Sequence, residues 1–168
     1  MSSETHAAEP LPRGPAGEVV GDLLALGATL AAVFERLARR EGNMTLFQLR
    51  TLEALRVRAP EPLEPGEIAQ AVQTGSNHVS LLLDQLEAQH LVRREAHPHD
   101  GRRRLVYLTV AGHERWAAIA RHVAALETRI LETALSPPDR AELQRLAGLL
   151  QNALDEMKVP LHRLRPGP

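Results

Sequence analysis

Two short stretches carry side chains whose types and spacing suit polar recognition. The first is Ser76-Asn77-His78-Val79-Ser80-Leu81. Asn presents a donor and an acceptor side by side, enough for a bidentate pair with adenine, and Ser serves several bases. The second is Asp100-Gly101-Arg102-Arg103-Arg104. Guanidinium groups neutralise phosphates and enter narrow minor grooves. Five arginines fall between Arg93 and Arg104, whereas no Lys or Arg lies between Ser76 and Gln89. Taken singly, the first stretch is a helix cap with solvated neighbours, and the second is a solvated face. Their meaning depends on the elements that hold them.

Those elements lie between Leu63 and Gly112. Glu64-Pro65-Gly66-Glu67 starts a short helix with Pro65 at its favoured first position. Ile68, Ala69 and Val72 form its inner face, and Gln73-Thr74-Gly75 makes a tight turn. A second helix over about 76–89 buries Val79, Leu82, Leu83 and Leu86 at helical spacing. Its outer face then carries Ser76, Asn77, His78, Ser80 and Leu81. Two strand candidates follow, Leu91-Val92-Arg93-Arg94 and Leu105-Val106-Tyr107-Leu108. His97-Pro98-His99-Asp100-Gly101-Arg102 joins them, because Asp-Gly favours a turn and Pro98 stops strand pairing. A strand-loop-strand directly after a helix-turn-helix is a winged helix. Such a helix fits the major groove of B-DNA with its N-terminal residues at base edges. The arginine run just past the wing tip is then placed to meet phosphate or minor groove. One reading of Asp100 is that its carboxylate steadies the Arg102 guanidinium; the other is a turn-forming Asp.

The rest of the chain reads as helix. Apolar residues from Val20 to Ala38 fall at helical spacing, and Glu41-Gly42-Asn43 ends that helix. Thr45-Leu46-Phe47-Gln48 has the capping-box form and starts a helix to about Val57. Thr109 caps a long helix from about Val110 to Leu135, and Ser136-Pro137-Pro138-Asp139 restarts another. There Leu143, Leu146, Leu150, Ala153 and Met157 alternate steps of three and four, as in a coiled-coil seam. The first helix is too apolar for a lone surface helix and should pack on a partner chain as well as on its own core. We therefore expect a mainly α fold with a small β-wing: one domain over 17–158, with a winged helix-turn-helix at 45–109 and dimerisation helices at 17–41 and 110–158. Residues 1–16, with three prolines and Arg13 as their one Arg or Lys, are expected to form a disordered arm. Residues 159–168 are expected to form a tail.

Composition bounds the alternatives. The 168 residues are 43% hydrophobic but only 2% aromatic, so Leu, Ala and Val must supply the packing. The absence of cysteine excludes disulfides, thiolate metal sites and thiol redox sensing. A formal net charge of -1 means that DNA binding has to be argued from where charge sits. No apolar run is expected to approach the roughly 20 residues that cross a bilayer. The N-terminus lacks the regions of a secretory signal, which points to a cytoplasmic protein with no membrane partner. The eight histidines invite a metal site, but His97 and His99 sit on a loop, and His113 and His122 lack the i, i+4 spacing of a helical chelate. No metal and no cofactor is expected. No nucleophile elbow, phosphate loop or HExxH motif argues for an enzyme.

Asp100-Gly101-Arg102 followed by Val106-Tyr107-Leu108-Thr109 and then Gly112 resembles the wing signature of the MarR (multiple antibiotic resistance regulator) family. Met44 to Leu52, Glu67-Ile68-Ala69, Val79-Ser80 and Leu82 to Glu87 resemble the same family's second helix and helix-turn-helix. The resemblance spans about Asp22 to Met157. It implies a homodimer with intertwined first and last helices, binding pseudo-palindromic double-stranded DNA, usually as a repressor. It also implies release by a small-molecule effector held between dimer interface and reader. On that scheme two symmetric readers lie about 34 Å apart, one DNA turn. Ser76, Asn77, His78, Ser80 and Leu81 would face the major groove. Arg102 would enter the minor groove beside Asp100, with Arg103 and Arg104 on phosphate. Arg50 and His113 are the candidates to line an effector pocket where the first two helices and the base of the long helix meet. Two departures stand out: Leu81 where many members carry a basic residue, and His90 where glycine is common. A rival class is a dimeric interaction protein on the same scaffold with weakened DNA binding.

Overall fold

The computed structural model describes residues 15–157. Six helices and one hairpin follow in the order α1 (Pro15–Gly42), α2 (Leu46–Arg58), α3 (Pro65–Val72), α4 (Ser76–Ala88), β1 (Val92–His97), β2 (Asp100–Leu108), α5 (Val110–Ala134) and α6 (Pro137–Glu156). The mainly α fold with a β-wing is as expected. The expected tail over 159–168 lies outside the described residues. So does the expected arm, except that α1 already starts at Pro15, a residue whose fixed φ suits a first helical turn. The chain divides into two compact units, one up to Val123 and one from Ala124 on.

Local chemistry starts and stops each helix. The Thr45 hydroxyl accepts from Gln48 N at 3.1 Å, and Gln48 Oε1 accepts from Thr45 N at 2.8 Å, closing the capping box of α2. Glu67 accepts from Glu64 N at 2.8 Å at the start of α3. Thr109 Oγ1 accepts from Gly112 N at 2.9 Å at the start of α5, and Ser136 caps α6 with Pro137 behind it.

The helices stop within the stretches expected, but the left-handed residues at those stops are not glycines. Asn43, Gln73 and His90 take left-handed backbone, with φ of 50°, 55° and 58°. Gly42 and Gly75, in the same expected stretches, do not. After α4, Leu91 N donates to Leu86 O at 3.0 Å and His90 N to Glu87 O at 2.8 Å. That is the paired closure of a Schellman motif, with His90 in the position that glycine favours. Gly42 instead serves close approach: a Cβ there would run into the Ile119 side chain of α5.

The first unit has a continuous core. Met44, Leu49, Leu52, Leu55, Ile68, Val72, Val79, Leu83, Leu86, Val92, Val106 and Ile119 are all buried in it. Each such side chain contributes about 1.5–3 kcal/mol on removal from water. β1 and β2 pair antiparallel from Val92↔Leu108 to Ala96↔Arg104, and Leu63 adds a further bridge to Val106, with N–O distances of 3.0 and 2.8 Å. The hairpin is longer than the sequence suggested. Pro98 and His99 form its tip, and Asp100-Gly101 begin β2. Arg102, Arg103 and Arg104 therefore lie on a strand rather than in a loop.

In α1, apolar residues stay exposed along the outer half, including Val19, Val20, Leu23 and Leu24 at 70%. The helix segment Gly17–Gly42 is long and apolar enough to cross a membrane by length and composition, its most apolar 18 residues having a mean hydropathy of 1.6. The expectation that no run approached that length is corrected: Ala and Gly between the leucines and valines keep the average apolar although Glu18 and Asp22 lie in the segment. The C-terminal end of α1 is packed, with Leu37 and Ala38 buried.

Within the second unit, α6 has no buried residue. Leu143, Leu146, Leu149, Leu150, Leu154 and Met157 are all exposed.

Candidate nucleic-acid interface

Turning 100° per residue, α4 presents three sides. Val79, Leu82, Leu83 and Leu86 point into the core. Asn77 and Leu81 lie on the crest away from it, and Leu81 is 57% exposed. Ser76 and Ser80 sit on one flank, where Ser80 Oγ donates to Ser76 O at 3.3 Å. His78 and Gln85 sit on the other flank. All five residues expected to face bases are exposed.

His78 is held in place. Its ring stands edge-on to Phe47 at 5.0 Å between centroids, and Nδ1 lies 2.9 Å from Thr74 Oγ1. Nε2 is the ring atom left to meet a ligand.

The arginines divide into two groups. Arg94 is half-buried and ties β1 to α4: its guanidinium donates to Asp84 and Glu87. The hydrogen bond to Asp84, followed by that to Glu87, raises its pKa above the ordinary arginine value, against the opposing effect of burial. Asp84 and Glu87, three residues apart on α4, thus share one cation. Arg93 lies 4.0 Å over the ring of Tyr107, its cross-strand neighbour.

Strand alternation then puts Arg103 on one face of β2 and Arg102 and Arg104 on the other. Arg103 pairs with the Glu64 carboxylate at the start of α3. Arg104 Nη1 donates to Gly101 O at 3.2 Å. Arg102 is exposed and makes no ion pair among the described residues. Asp100 does not fork the Arg102 guanidinium. Its Oδ1 accepts from the Arg102 backbone N at 3.0 Å, the turn-forming role.

Arg50 and His113 do not share the groove that Arg50 lines. Arg50 lines an open groove of about 670 Å³ between α2 and α3, with Ala54, Val57, Leu63 and Ala71 among its walls. His113 is not in that lining; it sits 6.2 Å from Trp116 on α5. Sequence reasoning missed Arg94, Glu64, Gln48 and Gln85. Only the i, i+3 acids of α4 hinted that a cation was needed there.

An exposed polar helix face beside an arginine-bearing hairpin is the geometry of a winged helix, and comparison with solved structures extends the match to nearly the whole chain. Sco3205 of Streptomyces coelicolor, a MarR family transcriptional regulator solved in complex with DNA, superposes with a TM-score of 0.76 at 23% identity, over 95% of this chain and 100% of that one. The fold is that of the MarR regulators. MepR of S. aureus, also solved with DNA, gives a TM-score of 0.67 at 24% identity over 76% of this chain and 96% of its own. PcaV of S. coelicolor, solved with its natural ligand, gives 0.65 at 22% identity over 88% and 99%. No family model matches the sequence, and no curated protein does. In this MarR-type fold α4 stands at the recognition-helix position and β1–β2 form the wing.

Proposed function

We propose that this chain is a homodimeric, cytoplasmic, sequence-specific DNA-binding transcriptional regulator of the MarR family. The observation that carries the reading is α4 itself. Its outward crest and flank hold small polar groups at the N-terminal end, while two arginines of the neighbouring strand remain on the free face of β2. Ser76, Asn77, His78, Ser80 and Leu81 meet the major groove. Arg102 enters the minor groove, with Arg104 on phosphate and Arg103 contributing less, since Glu64 already neutralises it. The exposed apolar faces of α1 and α6 support pairing of two copies, because a face of that kind is seldom left in water. Repression, and release by a small effector, are the regulatory sense we assign. The DNA complexes of Sco3205 and MepR and the ligand complex of PcaV support it.

A gel-shift titration against the chain's own upstream intergenic DNA, at two salt concentrations and with Arg102→Ala alongside, tests this. Tight, salt-sensitive binding that the variant loses is the expected result. One observation favours a second reading, a dimeric interaction protein: α4 has no cation and displays Leu81. Failure to bind either this DNA or random genomic fragments at low salt would select that alternative.

A further inference from the structure

Phe47 and Gln48, neighbours in the first turn of α2, grip α4 at two points. Phe47 meets His78, and Gln48 Nε2 donates to Gln85 Oε1 at 3.1 Å. His78 and Gln85 are seven residues apart, two helical turns, and so share one flank of α4. Gln48 is 5% exposed, too buried to reach a ligand of the α4 crest. Its Oε1 is committed to Thr45 N. A glutamate would close that capping box equally well, and the helix dipole favours its charge. What a glutamate lacks is the amide donor. The first turn of α2 is in turn held from α1, where Glu35 Oε2 accepts from Leu46 N at 2.6 Å.

We propose that Gln48 is a positioning residue for the recognition helix. It fixes the roll of α4 on α2, and so sets operator affinity without touching DNA. Recognition groups tolerate only about 10–20° of misorientation. Arg94 holds the far flank of α4. Losing the Gln48 grip lets the crest of Asn77 and Leu81 turn about that remaining anchor. The inference rests on the regulator reading above.

The test is a cycle of Gln48→Glu, Gln85→Glu and the double variant, read by operator affinity in fluorescence anisotropy and by thermal unfolding. Either single carboxylate is met by the remaining amide, turned to donate. Each single variant then shows only the modest affinity loss of one added negative charge. The double variant keeps the cap but sets two carboxylates against each other. Its affinity should fall about ten-fold below the product of the two singles. Gln48→Glu combined with Gln85→Lys should restore the bridge, giving an affinity above that of the double glutamate variant and no lower than that of Gln85→Lys alone, which sets two donors against each other. A double variant that equals the product of the singles overturns the inference. So does a loss explained by unfolding at the assay temperature without recovery in the Glu–Lys pair. Wild-type protein that binds no DNA removes the regulator reading, and this inference with it. Wild-type binding with an additive cycle removes only this one.

Discussion

Arg94 of β1 holds Glu87 of α4 through two atoms at once: the backbone N lies 3.1 Å from Oε1, and Nε lies 2.8 Å from Oε2. With Asp84 on the same guanidinium, one strand residue fixes α4 against the hairpin. Arg94→Lys keeps the charge but loses the planar fork. We expect it to cost about 1 kcal/mol, a figure kept small because the acids are partly solvated. Urea unfolding reads this directly, and an unchanged midpoint would show the network to be idle.

Arg102 and Arg103 are adjacent in sequence and should differ on DNA. Arg102→Ala is expected to lose about 1–3 kcal/mol of operator binding and to lower the salt slope by about one. Arg103→Ala should leave the slope nearly unchanged, because its charge is already matched by Glu64. Equal slopes for the two variants would contradict this division.

Gly112 has no room for a side chain. A Cβ there would strike the Leu91 carbonyl oxygen, and the Leu108 side chain stands 2.7 Å away. Backbone cannot give way as a flexible side chain does, so Gly112→Ala should destabilise by about 3 kcal/mol, the upper end for overpacking. A thermal midpoint within a degree of wild type would show that α5 can shift away from β1.

His90 carries the left-handed turn after α4. His90→Gly removes a backbone strain of about 1 kcal/mol but adds freedom to the unfolded chain. The two nearly cancel, and stability should move by less than about 1 kcal/mol. His90→Val, β-branched in the same conformation, should be clearly destabilising. The pair is compared by chemical denaturation, and a Val variant as stable as the Gly variant would sink the strain argument.

Leu146 and Leu150 lie on the exposed seam of α6. Leu146→Glu with Leu150→Glu should shift the protein to monomer in sedimentation velocity while leaving the core of the first unit folded. A dimer that survives both changes would move the pairing surface elsewhere.

Most helix starts were legible because they are local. Thr45 and Gln48, Pro65, Thr109, and Ser136 with Pro137 each act within four residues. Helix stops were legible in position but not in conformation: Asn43, Gln73 and His90 adopt the left-handed backbone usually associated with glycine, and nothing in their own chemistry announces it. The wing was read too short because Asp-Gly is a strong turn signal, yet Pro98-His99 took the turn and left Asp100-Gly101 to start β2.

The sequence by itself determined the periodic features: which faces of α3 and α4 are apolar, and that a hairpin with an arginine run follows a helix-turn-helix. These follow from backbone geometry repeated every two or 3.6 residues. Only the tertiary structure decided which arginines remain free. Arg94 meets partners seven and ten residues away, Arg103 one 39 residues away, and Gln48 reaches Gln85 across 37. A charged or amide group is satisfied by whatever the packed core brings within about 3 Å, and separation along the chain carries no record of that distance.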